Sequence, residues 1–133
     1  MNTINHLCRH KNAQPVLHEI RHALDKLIHS QETTTIDLHA LPMTKLDIDE
    51  VLEVLGRGEI FITINSLGKS EIWETQFPGV WITKHHPYYT NNSIYFVEIS
   101  PSPKLLTVCK EDLTIGYTQL AEKLMNKPEI QVA

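Results

Sequence analysis

The segment from His18 to His22 reads His-Glu-Ile-Arg-His, which is the HExxH spacing of zinc peptidases. On a helix, two histidines four residues apart lie on one face and can bind one Zn²⁺, while Glu19 can act as the general base. Such an enzyme also needs a third protein ligand, and the HxxGxxH continuation of the motif is absent. A zinc-dependent hydrolase is therefore the weakest of the functions that the sequence suggests.

The same helix face carries four side chains that can bind a metal ion, because a rotation of about 100° per residue brings them together. They are His18, His22, Asp25 and His29. Three further residues that can bind a metal lie upstream: His6, Cys8 and His10. These ligands suit Ni²⁺ or Zn²⁺, so a metal-binding protein is an alternative function. The pattern is more typical of a solvated helix face whose imidazoles bind nothing.

Motifs of nucleophilic catalysis and phosphate binding are absent from the sequence. There is no GxSxG elbow, and Gly56-Arg57-Gly58 is neither a phosphate loop nor a dinucleotide fingerprint. Three strand carboxylates could meet on one sheet face, but acid–base catalysis would require them to be buried: Glu59, Glu71 and Glu74. We therefore expect no enzyme and no cofactor.

Aromatic residues are concentrated between Ile72 and Trp81, where two tryptophans and Phe77 surround a Pro-Gly turn. Such a cluster is either a small core at a strand corner or a surface that recognises a partner. Both interpretations hold if one tryptophan points inward and the other outward.

Three helices are predicted from apolar residues spaced three and four apart. The first begins near Pro15 and continues to His29. The second follows Thr44 as N-cap and ends at Gly56. The third covers Leu113 to Met125.

Alternating residues predict strands between the second and third helices. They cover Glu59–Asn65, Glu71–Thr75, Val80–Thr83 and Ser93–Ser100, with a short strand at Thr33–Leu38, a hairpin turn at Ser66–Ser70 and a polar loop at His85–Asn92. This order predicts an α+β fold in which helices pack on one face of an antiparallel meander.

The chain has 133 residues and a net charge of −4, which favours a single domain over residues 14–133 after a flexible arm at 1–13. Basic residues occur singly, so we expect no nucleic-acid partner. No apolar run is long enough for a membrane span. The two cysteines, Cys8 and Cys109, lie far apart in the sequence, which fits a protein with reduced thiols better than a disulfide scaffold. These features predict a cytoplasmic protein.

Two blocks of sequence carry a family resemblance. Leu55-Gly56-Arg57-Gly58-Glu59, followed by Glu74-Thr75 and Phe77-Pro78-Gly79-Val80-Trp81, resembles the LGxGE and ETxxPGVW pattern of the HupH/HyaF/HoxQ hydrogenase expression proteins. It is similar to their C-terminal conserved region and covers about Ile36 to Leu113. Leu41–Thr44 and Ile99–Pro103 match that family's helix entry and its proline segment after a strand.

The resemblance implies a chaperone-like accessory protein in the maturation of NiFe hydrogenase. Its expected partner is a hydrogenase subunit precursor, particularly the iron–sulfur small subunit, together with a thioredoxin-like companion of the HupG type. The expected partner-binding residues are Trp73, Glu74, Thr75, Phe77, Pro78, Gly79, Val80 and Trp81, and the expected structural turn comprises Gly56, Gly58 and Glu59.

The aromatic corner around Trp81 could bind a client by hydrophobic docking or by strand addition. A homodimer could also form if the strand from Ile94 to Ile99 pairs edge to edge.

Overall fold

A computed structural model describes residues 12–66 and 68–126 of the chain. In this part the protein has three α-helices and one five-stranded sheet, so the predicted α+β class is confirmed. The elements are α1 (Ala13–Ser30), β1 (Thr34–Asp37), α2 (Lys45–Leu55), β2 (Phe61–Ser66), β3 (Gly68–Glu74), β4 (Val80–Pro87), β5 (Ile94–Ile99) and α3 (Lys110–Met125).

The chain divides after Pro103 into two compact units, the second of which contains α3. The first eleven residues of the expected arm lie outside the described residues, with His6, Cys8 and His10 among them. Ala13 was expected to belong to that arm, but it is the first residue of α1 and is fully buried.

The second helix has the predicted ends. Thr44 is its N-cap: the hydroxyl oxygen accepts a hydrogen bond from the Asp47 N–H at 3.1 Å, and the Asp47 carboxylate accepts one from the Thr44 N–H at 2.8 Å. This reciprocal capping box satisfies two N–H groups that the helix leaves unpaired. The helix ends at Leu55, because Gly56 has a φ of 67°.

All strand pairs are antiparallel, and their spatial order is β1-β5-β4-β3-β2. Strand β5 lies between β1 and β4, so the predicted edge-to-edge pairing along Ile94–Ile99 is wrong. The sheet edges are instead β1 and β2.

Strand β4 extends through His85, His86 and Pro87, where the sequence predicted a polar loop. These residues have partners in the sheet, since His85 lies opposite both Ser70 and Ile94. Pairing on both sides therefore overrides the weak strand preference of a His-His-Pro sequence.

The main core lies between one sheet face and the helices α1 and α2. We call this face the helix side. Its buried strand residues come from four of the five strands: Ile36, Trp73, Val80, Ile82, Val97 and Ile99. The opposite face, called the second face, carries Ile62, Ile64, Ile72 and Trp81.

Helix α3 starts at Lys110, three residues before the predicted start, and contains no buried residue. Glu111 and Asp112 in its first turn interact favourably with the helix dipole. None of the helices in the described ranges combines the length and the apolar character that crossing a bilayer requires.

Candidate functional site

The two sequence blocks that carry the resemblance pack against each other. The Gly58 N–H donates to the Glu74 carbonyl at 2.6 Å, and the Gln76 N–H donates to the Leu55 carbonyl at 2.9 Å. A side chain at position 58 would place its Cβ 2.7 Å from the Thr75 carbonyl oxygen. Only glycine allows this close approach of two backbones. We call this contact the junction.

Thr75 closes the turn that leads from β3 to β4. Its side chain is 2% exposed, and its hydroxyl group donates to the Val80 carbonyl at 2.9 Å while accepting from the Phe77 N–H at 3.1 Å. Two backbone hydrogen bonds complete the turn, from Thr75 N–H to the Val80 carbonyl and from Val80 N–H to the Phe77 carbonyl. Thr75 therefore fixes the shape of the turn from inside.

The segment after β5 joins the same turn. Gly79 adopts a φ of 94°, which glycine accommodates readily, and its carbonyl accepts a hydrogen bond from the Ser100 N–H at 2.9 Å. The Ser100 carbonyl in turn accepts from the Trp81 indole Nε1–H at 3.1 Å. The proline segment from Ile99 to Pro103 thus belongs to the same structural unit as the aromatic turn.

The two tryptophans lie on opposite faces of the sheet, and both are buried. Trp73 is 5% exposed and belongs to the helix-side core, whereas Trp81 is 6% exposed on the second face. The alternative in which one tryptophan points outward therefore does not hold, and both side chains are buried. They point to opposite faces because Trp81 lies opposite Glu74, the neighbour of Trp73 in β3, and neighbouring strand positions alternate in direction.

Arg57 covers the outer side of Trp73. Its guanidinium carbon lies 3.9 Å from the centre of the Trp73 ring and 5.4 Å from the centre of the Phe61 ring. The two rings stack at 6.2 Å with an interplanar angle of 18°. A guanidinium stacked on two aromatic rings places a positive charge beside an exposed apolar side chain.

The exposed side chains around the junction form what we call the rim: Arg57, Ile60, Phe61, Phe77 and Pro78. Phe61 is 51% exposed and Phe77 is 43% exposed. Of the eight expected partner-binding residues, Phe77 and Pro78 are exposed, Glu74 and Gly79 are half-buried, and the other four are buried: Trp73, Thr75, Val80 and Trp81. Glu59 of the expected turn is exposed.

Sequence reasoning missed Arg57, Ile60 and Phe61 as members of this surface. The signal was available for Phe61, because the alternation placed it on the same face as Glu59 and Thr63, away from the isoleucines. An aromatic residue on the polar face of a strand indicates an exposed apolar side chain that a partner can contact.

The histidines of α1 are exposed and their partners are local. The His29 Nδ1 lies 3.2 Å from an Asp25 carboxylate oxygen, and the His22 Nε2 lies 3.4 Å from the Arg21 guanidinium. His18 is within 3.5 Å of the Gln14 amide. Among the described residues, no group of three or more His, Cys, Asp or Glu side chains is arranged to hold a metal ion. Metal binding at this helix stays a prediction.

A cleft of about 660 Å³ lies on the opposite side of the sheet from β2, against β1 and β5. The cleft contains the stacked rings of His39 and Tyr95, 6.3 Å apart, and the ion pair between Lys45 and Asp49. Met43, from the helix-entry segment, lines the cleft, whereas no residue of the LGxGE or ETxxPGVW block does.

Comparison with known proteins matches the part of the chain that contains the junction to one family. The family model described as HupH hydrogenase expression protein, C-terminal conserved region, matches residues 10–126, a wider range than the sequence motifs suggested. The solved structure of the hydrogenase expression protein HupH from Thiobacillus denitrificans is 33% identical and has a TM-score of 0.82. The match covers 88% of this chain and 98% of that chain.

The hydrogenase expression/formation protein HoxQ of Cupriavidus necator is 27% identical over 113 residues. The aligned part is 85% of this chain and 40% of HoxQ, so the chain spans well under half the length of this curated relative. The family model and the solved structure both cover most of this chain, including the junction. The chain therefore belongs to the family of the C-terminal conserved region of HupH hydrogenase expression proteins.

Proposed function

We propose that this chain acts in the maturation of NiFe hydrogenase as a non-enzymatic accessory protein that binds a hydrogenase subunit precursor. The observation that carries the proposal is the junction, where the motif residues are used to hold two backbones and a turn together. Gly58, Thr75 and Gly79 fill conformational or hydrogen-bonding roles in this unit. Membership of a hydrogenase expression protein family supports a hydrogenase subunit as the client.

The rim provides the apolar contact surface that such a role needs. Ile60, Phe61 and Phe77 expose about half of their side-chain surface although the protein has a well-packed core beneath them. Exposed aromatic side chains next to a rigid turn are typical of residues that contribute most of the binding energy of an interface. Because buried Thr75 fixes the turn, the backbone at Phe77 would lose little conformational entropy on binding.

We infer that the client is the iron–sulfur small subunit. The chain binds it before the subunit has received its cluster and its partner subunit. A subunit at that stage exposes apolar surface that its later assembly covers, and a transient binding protein can shield this surface. A thioredoxin-like companion of the HupG type is a second expected partner in the same complex.

Co-purification tests this proposal directly. The chain is produced with an affinity tag, together with either the small-subunit or the large-subunit precursor of a NiFe hydrogenase, and the captured protein is identified by mass spectrometry. Capture of the small-subunit precursor in near-stoichiometric amount is the expected result. Capture of the large subunit alone would assign a different client, and capture of neither would contradict the proposed function.

A further inference from the structure

Strand β2 is an unprotected edge of the sheet. Within residues 12–66 and 68–126, β2 pairs with β3 on one side only. Its six residues, Phe-Ile-Thr-Ile-Asn-Ser, include neither a charged residue nor a proline. The other edge, β1, has four residues and ends at Asp37. Sheet edges are usually protected by charge, proline or short length, so a six-residue edge without these features is suited to pairing.

The hydrogen-bonding pattern shows which backbone groups of β2 point outward. The Glu74 N–H donates to the Ile60 carbonyl at 3.0 Å, which makes this pair a hydrogen-bonded one. Antiparallel pairs alternate, so Ile62 and Ile64 also bond to β3. The N–H and C=O groups that point away from the sheet belong to Phe61, Thr63 and Asn65, whose side chains are all exposed.

The two sides of this edge differ in chemistry. On the helix side, Arg57 is stacked on Phe61, and the ion pairs formed among the described residues do not include Arg57. On the second face, the half-buried side chains of Ile62 and Ile64 lie two residues apart. A strand added here would place alternate side chains next to the isoleucines and the others towards the arginine.

We propose that β2 binds an extended segment of the client by strand addition, with two apolar side chains beside Ile62 and Ile64 and a carboxylate that reaches Arg57. The inference rests on the proposed function, because it describes how the subunit precursor is bound. Main-chain hydrogen bonds to Phe61, Thr63 and Asn65 provide the affinity, and the side-chain pattern provides the selectivity.

An extended peptide fits this edge better than a second copy of the chain. Pairing two β2 strands would join six residues from each chain, whereas stable interfaces use roughly 20–30 residues on each side. In a pair of β2 strands, the residues opposite Phe61–Ser66 would again come from Phe61–Ser66, and this strand has no carboxylate to pair with Arg57.

Thr63 offers a matched pair of variants. Its N–H points outward, so Thr63→Pro removes a donor that the sheet does not use, and proline is tolerated on edge strands. Thr63→Ala shortens the side chain and keeps the N–H.

The probe is a set of overlapping fluorescent peptides that span the hydrogenase small-subunit precursor, and binding is measured by anisotropy. We expect Thr63→Pro to bind at least about tenfold more weakly than Thr63→Ala, with a similar loss for Arg57→Met.

Hydrogen exchange in the wild-type protein gives a second readout that does not depend on the folding of the proline variant. The amides of Thr63 and Asn65 should exchange more slowly when the precursor is bound, and unchanged exchange would overturn strand addition.

If wild-type protein binds the precursor and Thr63→Pro binds equally well, only the edge inference fails. If wild-type protein binds no precursor, the proposed function fails with it. A concentration-dependent dimer that Thr63→Pro abolishes would instead make a second copy the occupant and overturn the proposal.

Discussion

The indole Nε1–H of Trp81 donates a 3.1 Å hydrogen bond to the backbone carbonyl of Ser100, nineteen residues further along the chain. Both residues are buried, and the Ser100 N–H also donates to the Gly79 carbonyl. The residue that ends the aromatic motif therefore ties the turn between β3 and β4 to the segment that follows β5. The motif and the proline segment are two halves of one structural unit.

Trp81→Phe should destabilise the first unit by about 1–3 kcal/mol, because the buried Ser100 carbonyl loses a donor while most of the apolar side chain is kept. Urea unfolding followed by the fluorescence of Trp73 measures this change, since Trp73 lies in the same unit. An unchanged free energy of unfolding would show that the hydrogen bond contributes nothing to stability.

Thr75→Val should cost about 1–3 kcal/mol, because valine has nearly the same shape but leaves the partly buried Phe77 N–H without its acceptor. Thr75→Ser is the control: it keeps the hydroxyl group and loses one methyl group, worth about 1 kcal/mol. Chemical denaturation of both variants checks the order. Equal stability of the two variants would contradict the role assigned to the hydroxyl group.

Gly58→Ala should destabilise the junction by about 1–3 kcal/mol, since the new Cβ would lie 2.7 Å from the Thr75 carbonyl oxygen, which belongs to the backbone and cannot easily move. Gly116→Ala in α3 is the matched control, because nothing lies within 4 Å of its new Cβ. We expect it to stabilise the helix by about 0.5–1 kcal/mol. Circular dichroism and tryptophan fluorescence distinguish the two effects. A Gly58→Ala protein as stable as the wild type would show that the close approach is not required.

Acid should weaken the cap of α2. The Thr44 backbone N–H, which donates to Asp47, holds the pKa of the Asp47 carboxyl below its ordinary value of 3.8. A lowered pKa in the folded state stabilises the protein above the ordinary pKa, and this contribution is lost as the pH falls through the lowered value.

Asp47→Asn removes this titration. The difference in unfolding free energy between wild type and Asp47→Asn should therefore be largest near neutral pH and should shrink below about pH 4. Urea unfolding at a series of pH values measures it. A difference that stays constant into strong acid would show that the carboxylate charge is not used by the cap.

Much of the fold follows from local signals in the sequence. The second helix was predicted with its N-cap Thr44 and its end at Gly56, because capping residues act through their immediate neighbours. The antiparallel sheet followed from the alternation of apolar and polar residues in the predicted strands. The length of β4 did not, since His85 pairs with both β3 and β5 and His86 pairs with β3, and no local pattern encodes these contacts.

The site was predicted in position but not in detail. The motif blocks identified the correct corner, yet the burial of Trp73 and Trp81 depends on which face each strand presents to the helices. Arg57 was interpreted only as a residue between two glycines, because its contact with Trp73 joins parts of the chain that are sixteen residues apart. Long-range contacts of this kind are visible only in the folded structure.

The central claim is that the rim binds a hydrogenase subunit precursor, and the affinity of two matched variants tests it most directly. Phe77→Ser removes an exposed aromatic side chain of the rim, and Tyr89→Ser removes one beyond the opposite end of β4. Binding of the purified proteins to the iron–sulfur small-subunit precursor is measured by calorimetry. We predict that Phe77→Ser weakens binding at least about tenfold, while Tyr89→Ser binds like the wild type. Equal affinity of wild type and Phe77→Ser, or a greater loss with Tyr89→Ser, would contradict the account.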